Sequence, residues 1–137
     1  MLFMSAKKAK PSSALLFCCL FTFPCSTNSF GQATSILDGV YTTEQAAAGA
    51  ELFALNCAHC HDAEFYRNSL ISWQGMTVLD YWYRILGNMP ADNPKSLSND
   101  EYLDIVAWVL LISGYPAGKE PLQPRNYLGR LKIESFD

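Results

Sequence analysis

No apolar run in this chain of 137 residues reaches the roughly 20 residues that a membrane-spanning helix requires, which excludes a multi-span membrane protein. Basic residues are in deficit, with ten Lys and Arg against thirteen Asp and Glu, a net charge of −3 and a pI near 5.3. A nucleic-acid binder relying on a basic face is therefore excluded. No strand pattern of convincing length occurs, and there are no internal repeats. Histidine is limited to His59 and His61. What is present, 50% hydrophobic and 17% charged residues, is ordinary for a soluble globular domain and too apolar for disorder. The length suits one domain with a single core.

The first 33 residues differ from the rest. Lys7, Lys8 and Lys10 form a basic start, and no acidic residue precedes Asp38. An apolar stretch follows from Ala14 to Phe23, then polar residues, then Gly31-Gln32-Ala33. This is the layout of a secretory signal peptide, and cleavage is expected after Ala33. An uncleaved anchor is the alternative, disfavoured by the short apolar run, and lipid attachment at Cys25 is disfavoured by its neighbours Phe23 and Pro24. Residues 1–33 hold three of the ten Lys and Arg, none of the thirteen Asp and Glu, and Cys18, Cys19 and Cys25. The remainder carries a net charge of −6 and keeps only Cys57 and Cys60. A disulfide between two such close cysteines closes almost no loop and would add little stability. Periplasmic localisation is the expectation, with no stable membrane anchor.

Residues 34–137 divide into helices and loops. Thr42 and Gln45 have the spacing of a capping box, and helix formers continue to Asn56. Gly49, Phe53 and Cys57 share one face at i, i+4, i+8. A glycine inside a helix costs roughly 1 kcal/mol relative to Ala, which a close approach by another helix would justify. Residues 62–76 hold no period of 2 or 3.6 and read as a long ordered loop with a function. Thr77–Leu86 reads as a short helix stopped by Gly87-Asn88. Pro90 and Pro94 keep the next stretch in a loop. Ser98 and Glu101 form a second capping box. The helix they open is apolar all round from Ile105 to Ile112, which predicts burial on more than one side. Gly114 and Pro116 end it. Residues 117–137 are expected to lie extended over the core. The class is all-α, with three main helices and long loops.

The chemistry lies in Cys57-Ala58-His59-Cys60-His61, which fits the C-x-x-C-H pattern of covalent c-type haem attachment. Two cysteines three apart at a helix end reach the vinyl groups of one porphyrin edge, and the following His61 then lies over the iron as proximal ligand. One haem c, bound through Cys57 and Cys60, is expected, and export agrees with it. Three other readings use the same residues. A thioredoxin-like dithiol wants a C-x-x-C after a strand in a βαβ unit. A zinc site wants a tetrahedral set of ligands, and here all the candidates fall within five residues. A structural disulfide is the third. His59 lies between the cysteines and is expected to face solvent with no ligand role.

With no other histidine, bis-His ligation within one chain is excluded, and the second axial ligand falls to Met76 or Met89, or the position stays open. Met76 follows His61 by 15 residues, which leaves little chain to round a haem edge. Met89 follows by 28, on a Pro-punctuated loop able to hold a sulfur rigidly, and is the expected ligand. Trp73 is either a core aromatic or an indole donor to a haem propionate. Tyr81, Trp82 and Tyr83 cannot all face the core of one helix. Packing is the default for them, with a surface platform of one or two near the haem as the alternative.

These residues resemble class I cytochromes c: Gly49 and Phe53 before Cys57-x-x-Cys60-His61, a Met-Pro pair downstream, and a final helix with Ile105 and Trp108. The likeness covers about residues 41–116. It implies a class I cytochrome c fold around one haem, with first and last helices crossing near Gly49, Trp108 packed at the crossing, and an exposed haem edge. A narrower resemblance runs through Trp73-x-Gly75, Thr77, Met89-Pro90-x-x-Asn93-Pro94, Ser98, Asp100-Glu101-Tyr102 and Gly114-Tyr115-Pro116-Ala117-Gly118. It points to the small cytochromes that serve pyrroloquinoline quinone (PQQ)-dependent alcohol dehydrogenases, and implies a tail wrapping the domain from Glu120 to Ile133. One departure stands out. Many class I cytochromes place a Pro soon after the haem His, whose carbonyl accepts the imidazole N–H, and no Pro occurs here before Pro90. A carbonyl within Asp62–Leu70 is expected to substitute.

The expected function is that of a monomeric, exported carrier of single electrons and not an enzyme. Its expected partners are a quinoprotein dehydrogenase as donor and a terminal oxidase or another cytochrome as acceptor, with an acidic surface suited to steering toward a basic patch. A haem enzyme or gas sensor whose Met89 yields to a small ligand is the alternative.

Overall fold

Thr42, Thr77 and Ser98 each open a helix by accepting, through the side-chain hydroxyl, the backbone N–H three residues on, at 3.1, 3.2 and 3.2 Å. This satisfies one of the N–H groups that a helix start leaves without an intrahelical partner. In the computed structural model, which describes residues 33–124 and 127–136, these caps begin α1 (Thr43–Asn56), α3 (Val78–Asn88) and α4 (Asn99–Ile112). A shorter helix, α2 (Ala63–Ser69), follows α1 and runs into a single 3-10 turn, Leu70–Trp73. Another 3-10 turn, Ile36–Asp38, precedes α1. There is no named strand among the described residues, and none of their helices is long and apolar enough to cross a membrane. The class is all-α, as expected. The expected signal segment lies in residues 1–32, outside those described, with Ala33 just inside.

Two readings are corrected. Residues 62–76 are largely helical. Asp62 caps α2 by accepting from Phe65 N at 2.8 Å, and Glu64 pairs with Arg67 at 3.3 Å one turn on. Tyr66 and Leu70, at i and i+4, bury the inner face. Two turns are too short to establish a period. The second correction concerns α3, which runs through Gly87 to Asn88 and is closed by Met89, whose N–H donates to Ile85 O at 2.8 Å. Gly87 keeps an ordinary backbone, and the Asn88 side chain donates back to Arg84 O at 2.7 Å.

The core is the crossing of α1 and α4. A Cβ on Gly49 would lie 1.8 Å from Asp104 O, so the two backbones meet there with no room for a side chain. One turn further, Phe53 stacks on Trp108 with ring centroids 4.1 Å apart. In α4 every residue from Ile105 to Leu110 is buried, together with Tyr102 and Leu103, which accounts for its lack of a polar face.

Residues 117–124 and 127–136 close the other side. The Gln45 amide does not complete its capping box. It holds Leu122 instead, donating to Leu122 O at 2.9 Å and accepting from Leu122 N at 2.7 Å. Leu128, Leu131 and Ile133 are buried. Leu131 O and Leu128 O accept the first two N–H groups of α3, from Val78 and Leu79, at 3.0 and 3.2 Å. The tail thereby caps the helix that leads to Met89.

Two stability outcomes follow. Gly49→Ala should lower unfolding stability by at least about 1–3 kcal/mol, the usual cost of overpacking. Gly87→Ala, where a Cβ meets nothing within 4 Å, should raise it by roughly 0.5–1 kcal/mol. Urea midpoints at equal m-value read both. Asp104 supplies a further outcome, because burial pushes its carboxyl above the usual range, with Asp100 and Glu101 adding to the shift and a Gln45 hydrogen bond opposing it. The folded state therefore holds the proton more tightly than the unfolded chain, and Asp104 disfavours folding as pH rises past the ordinary carboxylate value of about 3.9. Asp104→Asn should be more stable than the parent at pH 7, with the advantage shrinking as pH falls and absent below about pH 4.

Candidate functional site

At the end of α1 the chain turns back on itself through four backbone bonds. Cys57 N and Ala58 N donate to Phe53 O at 2.8 and 3.0 Å, and Cys60 N and His61 N donate to Cys57 O at 3.1 and 3.0 Å. This tight turn draws Cys57, Cys60 and His61 around one point. Across a cavity from it lie Met89, Pro90, Ala91 and Asp92, with Asn56, Cys57, His59, Cys60 and His61 forming the other wall. Two segments far apart in sequence, 56–61 and 89–92, thus face each other. The cavity unites Cys57, Cys60, His61 and Met89.

Met76 is elsewhere. It is 43% exposed, and its backbone is tied to Trp73 O and Ile133 N on the side of the tail. Of the two candidate sulfurs, only that of Met89 belongs to a residue lining the cavity. His59 is exposed on the cavity rim.

Both cysteines are free thiols, Cys57 buried at 7% exposure and Cys60 exposed. Burial pushes the Cys57 thiol up, the opposite of the depressed value that makes a redox-active dithiol nucleophilic. With α1 before it and no strand among the described residues, the pair lacks the setting of a thioredoxin-like site. No group of three or more His, Cys, Asp or Glu among the described residues is arranged to hold a metal ion.

His61 is held by rings rather than by the expected carbonyl. Phe65 stacks on it at 4.9 Å and Tyr66 meets it edge-on at 5.5 Å, and its ring makes no hydrogen bond within the described residues. Tyr66 also touches Phe53 and Trp108 at 5.3 and 6.3 Å. An aromatic chain therefore runs from the α1–α4 crossing to the histidine. Desolvation is the main cause that raises the Tyr66 hydroxyl, which stays neutral at physiological pH.

Trp73 is not brought to this cavity. It is half-buried, packs against Tyr81 at 5.3 Å, and lines a separate surface hollow with Asp62, Phe65 and Ser69. The informative indole is Trp82. Its Nε1 is buried with no hydrogen-bond partner among the described residues, a costly state for a donor. Trp82, Ile85 and Met89 share the inner face of α3 at i, i+3, i+7. Of the three consecutive aromatics, Tyr81 and Trp82 are buried and Tyr83 is 57% exposed. Burial pushes the Tyr81 hydroxyl up to about 12, although its contact with Ser69 Oγ at 2.9 Å works the other way. The pattern of three aromatics showed that they could not all face the core, but not that the indole among them would be buried without a partner.

These residues fit a haem. Paired thiols and an imidazole stand opposite a thioether, the cavity walls are largely apolar, and a buried N–H on the same helix face awaits an acceptor such as a carboxylate. Residues 44–109 match a cytochrome c family model, described as "Cytochrome C oxidase, cbb3-type, subunit III". This stretch is a cytochrome c family domain, and such a domain implies electron transfer through haem c. The chain is also similar to two proteins named as cytochrome bc1 complex cytochrome c subunits. That of Corynebacterium diphtheriae is 38% identical over 72 residues, covering 46% of this chain and 26% of that protein. That of Corynebacterium efficiens is 34% identical over 84 residues, covering 55% of this chain and 28% of that protein. The chain thus spans about a quarter of the length of these relatives. No solved structure matches.

Proposed function

We propose that the chain is an exported, monomeric, monohaem electron carrier that performs no bond chemistry. Cys57 and Cys60 would hold one haem covalently, and His61 and Met89 would ligate its iron. The observation that carries this is the meeting of the 56–61 turn and Met89 across one cavity. When bound, haem supplies one-electron exchange at iron, and thioether ligation opposite imidazole raises the reduction potential. The chain's own residues keep the change of oxidation state from becoming a change of structure. Phe65 and Tyr66 orient the imidazole, Ile85 anchors the Met89 backbone, and Trp82 Nε1 offers a donor to a haem carboxylate. Trp73, packed on Tyr81, serves the core. Export to the periplasm rests on the basic start, apolar stretch and Ala33 boundary of the sequence.

For the donor we favour a PQQ-dependent dehydrogenase, on the likeness running from Trp73 to Gly118, with a terminal oxidase or another cytochrome as acceptor. A second reading, delivery of electrons within a respiratory complex, is favoured by the similarity to cytochrome bc1 complex cytochrome c subunits. Stopped-flow mixing of the oxidised protein with each donor separates the two. Fast reduction by a PQQ alcohol dehydrogenase with its alcohol supports the first. Reduction only by a quinol-fed bc1 complex supports the second.

Ligation has its own test. Met89→Ala should abolish the near-infrared sulfur-to-iron band of the ferric protein and admit carbon monoxide to the ferrous protein. Met76→Ala should change neither. Carbon monoxide binding by the unaltered protein would favour the alternative of a haem enzyme or gas sensor in which Met89 is displaced.

A further inference from the structure

Met89 ends α3 and begins a loop, 90–97, in which residues 91–96 are all exposed. The one backbone bond that this loop makes internally runs from Asn93 N to Pro90 O at 3.1 Å. A loop of that kind gives little restraint to a side chain that must meet a metal at fixed distance. Restraint enters from α4. Tyr102 is 1% exposed, and its hydroxyl donates to the backbone carbonyl of Met89 at 2.6 Å. From the other side the Met89 N–H donates to Ile85 O at 2.8 Å. Both backbone polar groups of Met89 are therefore tied, one to its own helix and one to a helix on the far side of the loop. The donor helix is itself fixed. Ser98 and Glu101 lock its start in a reciprocal capping box, and Gly49 lets α1 press directly on Asp104, two residues past Tyr102.

We propose that Tyr102 is the positioning residue for Met89: its buried hydroxyl, by holding the Met89 carbonyl, keeps the thioether aimed into the cavity. This rests on the reading of Met89 as axial ligand. Without the hydroxyl, the Met89 carbonyl loses its tie to α4, the Met89–Pro90 segment gains freedom, and the sulfur is displaced more readily by an outside ligand.

The test uses the haem-loaded full chain carrying Tyr102→Phe, which keeps the ring and removes only the donor. Imidazole is titrated into the ferric protein, with the near-infrared sulfur band as signature of Met ligation. The expected result is a roughly fivefold gain in imidazole affinity, which corresponds to the net worth of one hydrogen bond, together with a weakened band. Tyr115→Phe is the matched control. It removes a hydroxyl that donates to Glu134 O at 2.6 Å in the tail, and it should lower the melting temperature while leaving imidazole affinity and the band at parental values. If Tyr102→Phe loses stability as the control does but binds imidazole like the parent, Tyr102 is structural only and the proposal is overturned. If the parent itself lacks the sulfur band, the reading of Met89 as ligand fails, and the role of Tyr102 fails with it.

Discussion

The close approach of α1 to α4 at Gly49 is the constraint on which the rest of the structure depends. A side chain there would collide with the Asp104 carbonyl, so the two backbones touch, and the stacking of Phe53 on Trp108 follows from that distance. α1 delivers the Cys57–His61 turn at its end, while α4 delivers the hydroxyl that holds Met89. One backbone contact therefore fixes the spacing between the two walls of the cavity. Interiors pack too tightly for such a spacing to drift without cost.

The third helix is set by different means. Its start is capped by Thr77 and Asp80 and by two carbonyls of the tail, and its inner face carries Trp82, Ile85 and Met89. The tail, bonded to α1 through Gln45 and Leu122 and to the start of α3 through Leu128 and Leu131, links the two helices. This arrangement suits a site whose ligand set must not relax when charge changes by one electron.

Much of this was legible in the residues. The Ser98 hydroxyl with its acidic partner Glu101 three residues on marked α4, because a capping box is a local device, whereas the equivalent box of Thr77 and Asp80 emerged only in the structure. Gly49 before Phe53 and Cys57 announced a crossing, because a glycine on an apolar helix face has few other reasons to be there. The C-x-x-C-H turn and Met89 were singled out from spacing along the chain, and the structure brings both to one cavity. What stayed hidden was settled by distant partners. Gln45 was read as closing its own cap and instead binds a residue 77 positions away. The helix 63–69 was concealed by Asn and Ser over only two turns. Gly87-Asn88 resembled a stop, although nothing in the structure requires an unusual backbone there. The buried, unpartnered indole is that of Trp82, while Trp73, the indole singled out in the sequence, lines the separate hollow beside α2. The packing of His61 against Phe65 and Tyr66, and of Tyr66 against Phe53 and Trp108, was not readable either, because it depends on partners distant in sequence.

The central claim is that the turn at 57–61 is the covalent seat of one haem. Intact-mass measurement of the protein purified from an exporting host with c-type maturation, followed by peptide mapping, tests it most directly. The account predicts a mass increase of a single haem carried on the peptide containing Cys57 and Cys60, with neither thiol available to alkylation. A colourless protein at its unmodified mass, with both thiols alkylated in full, would contradict it.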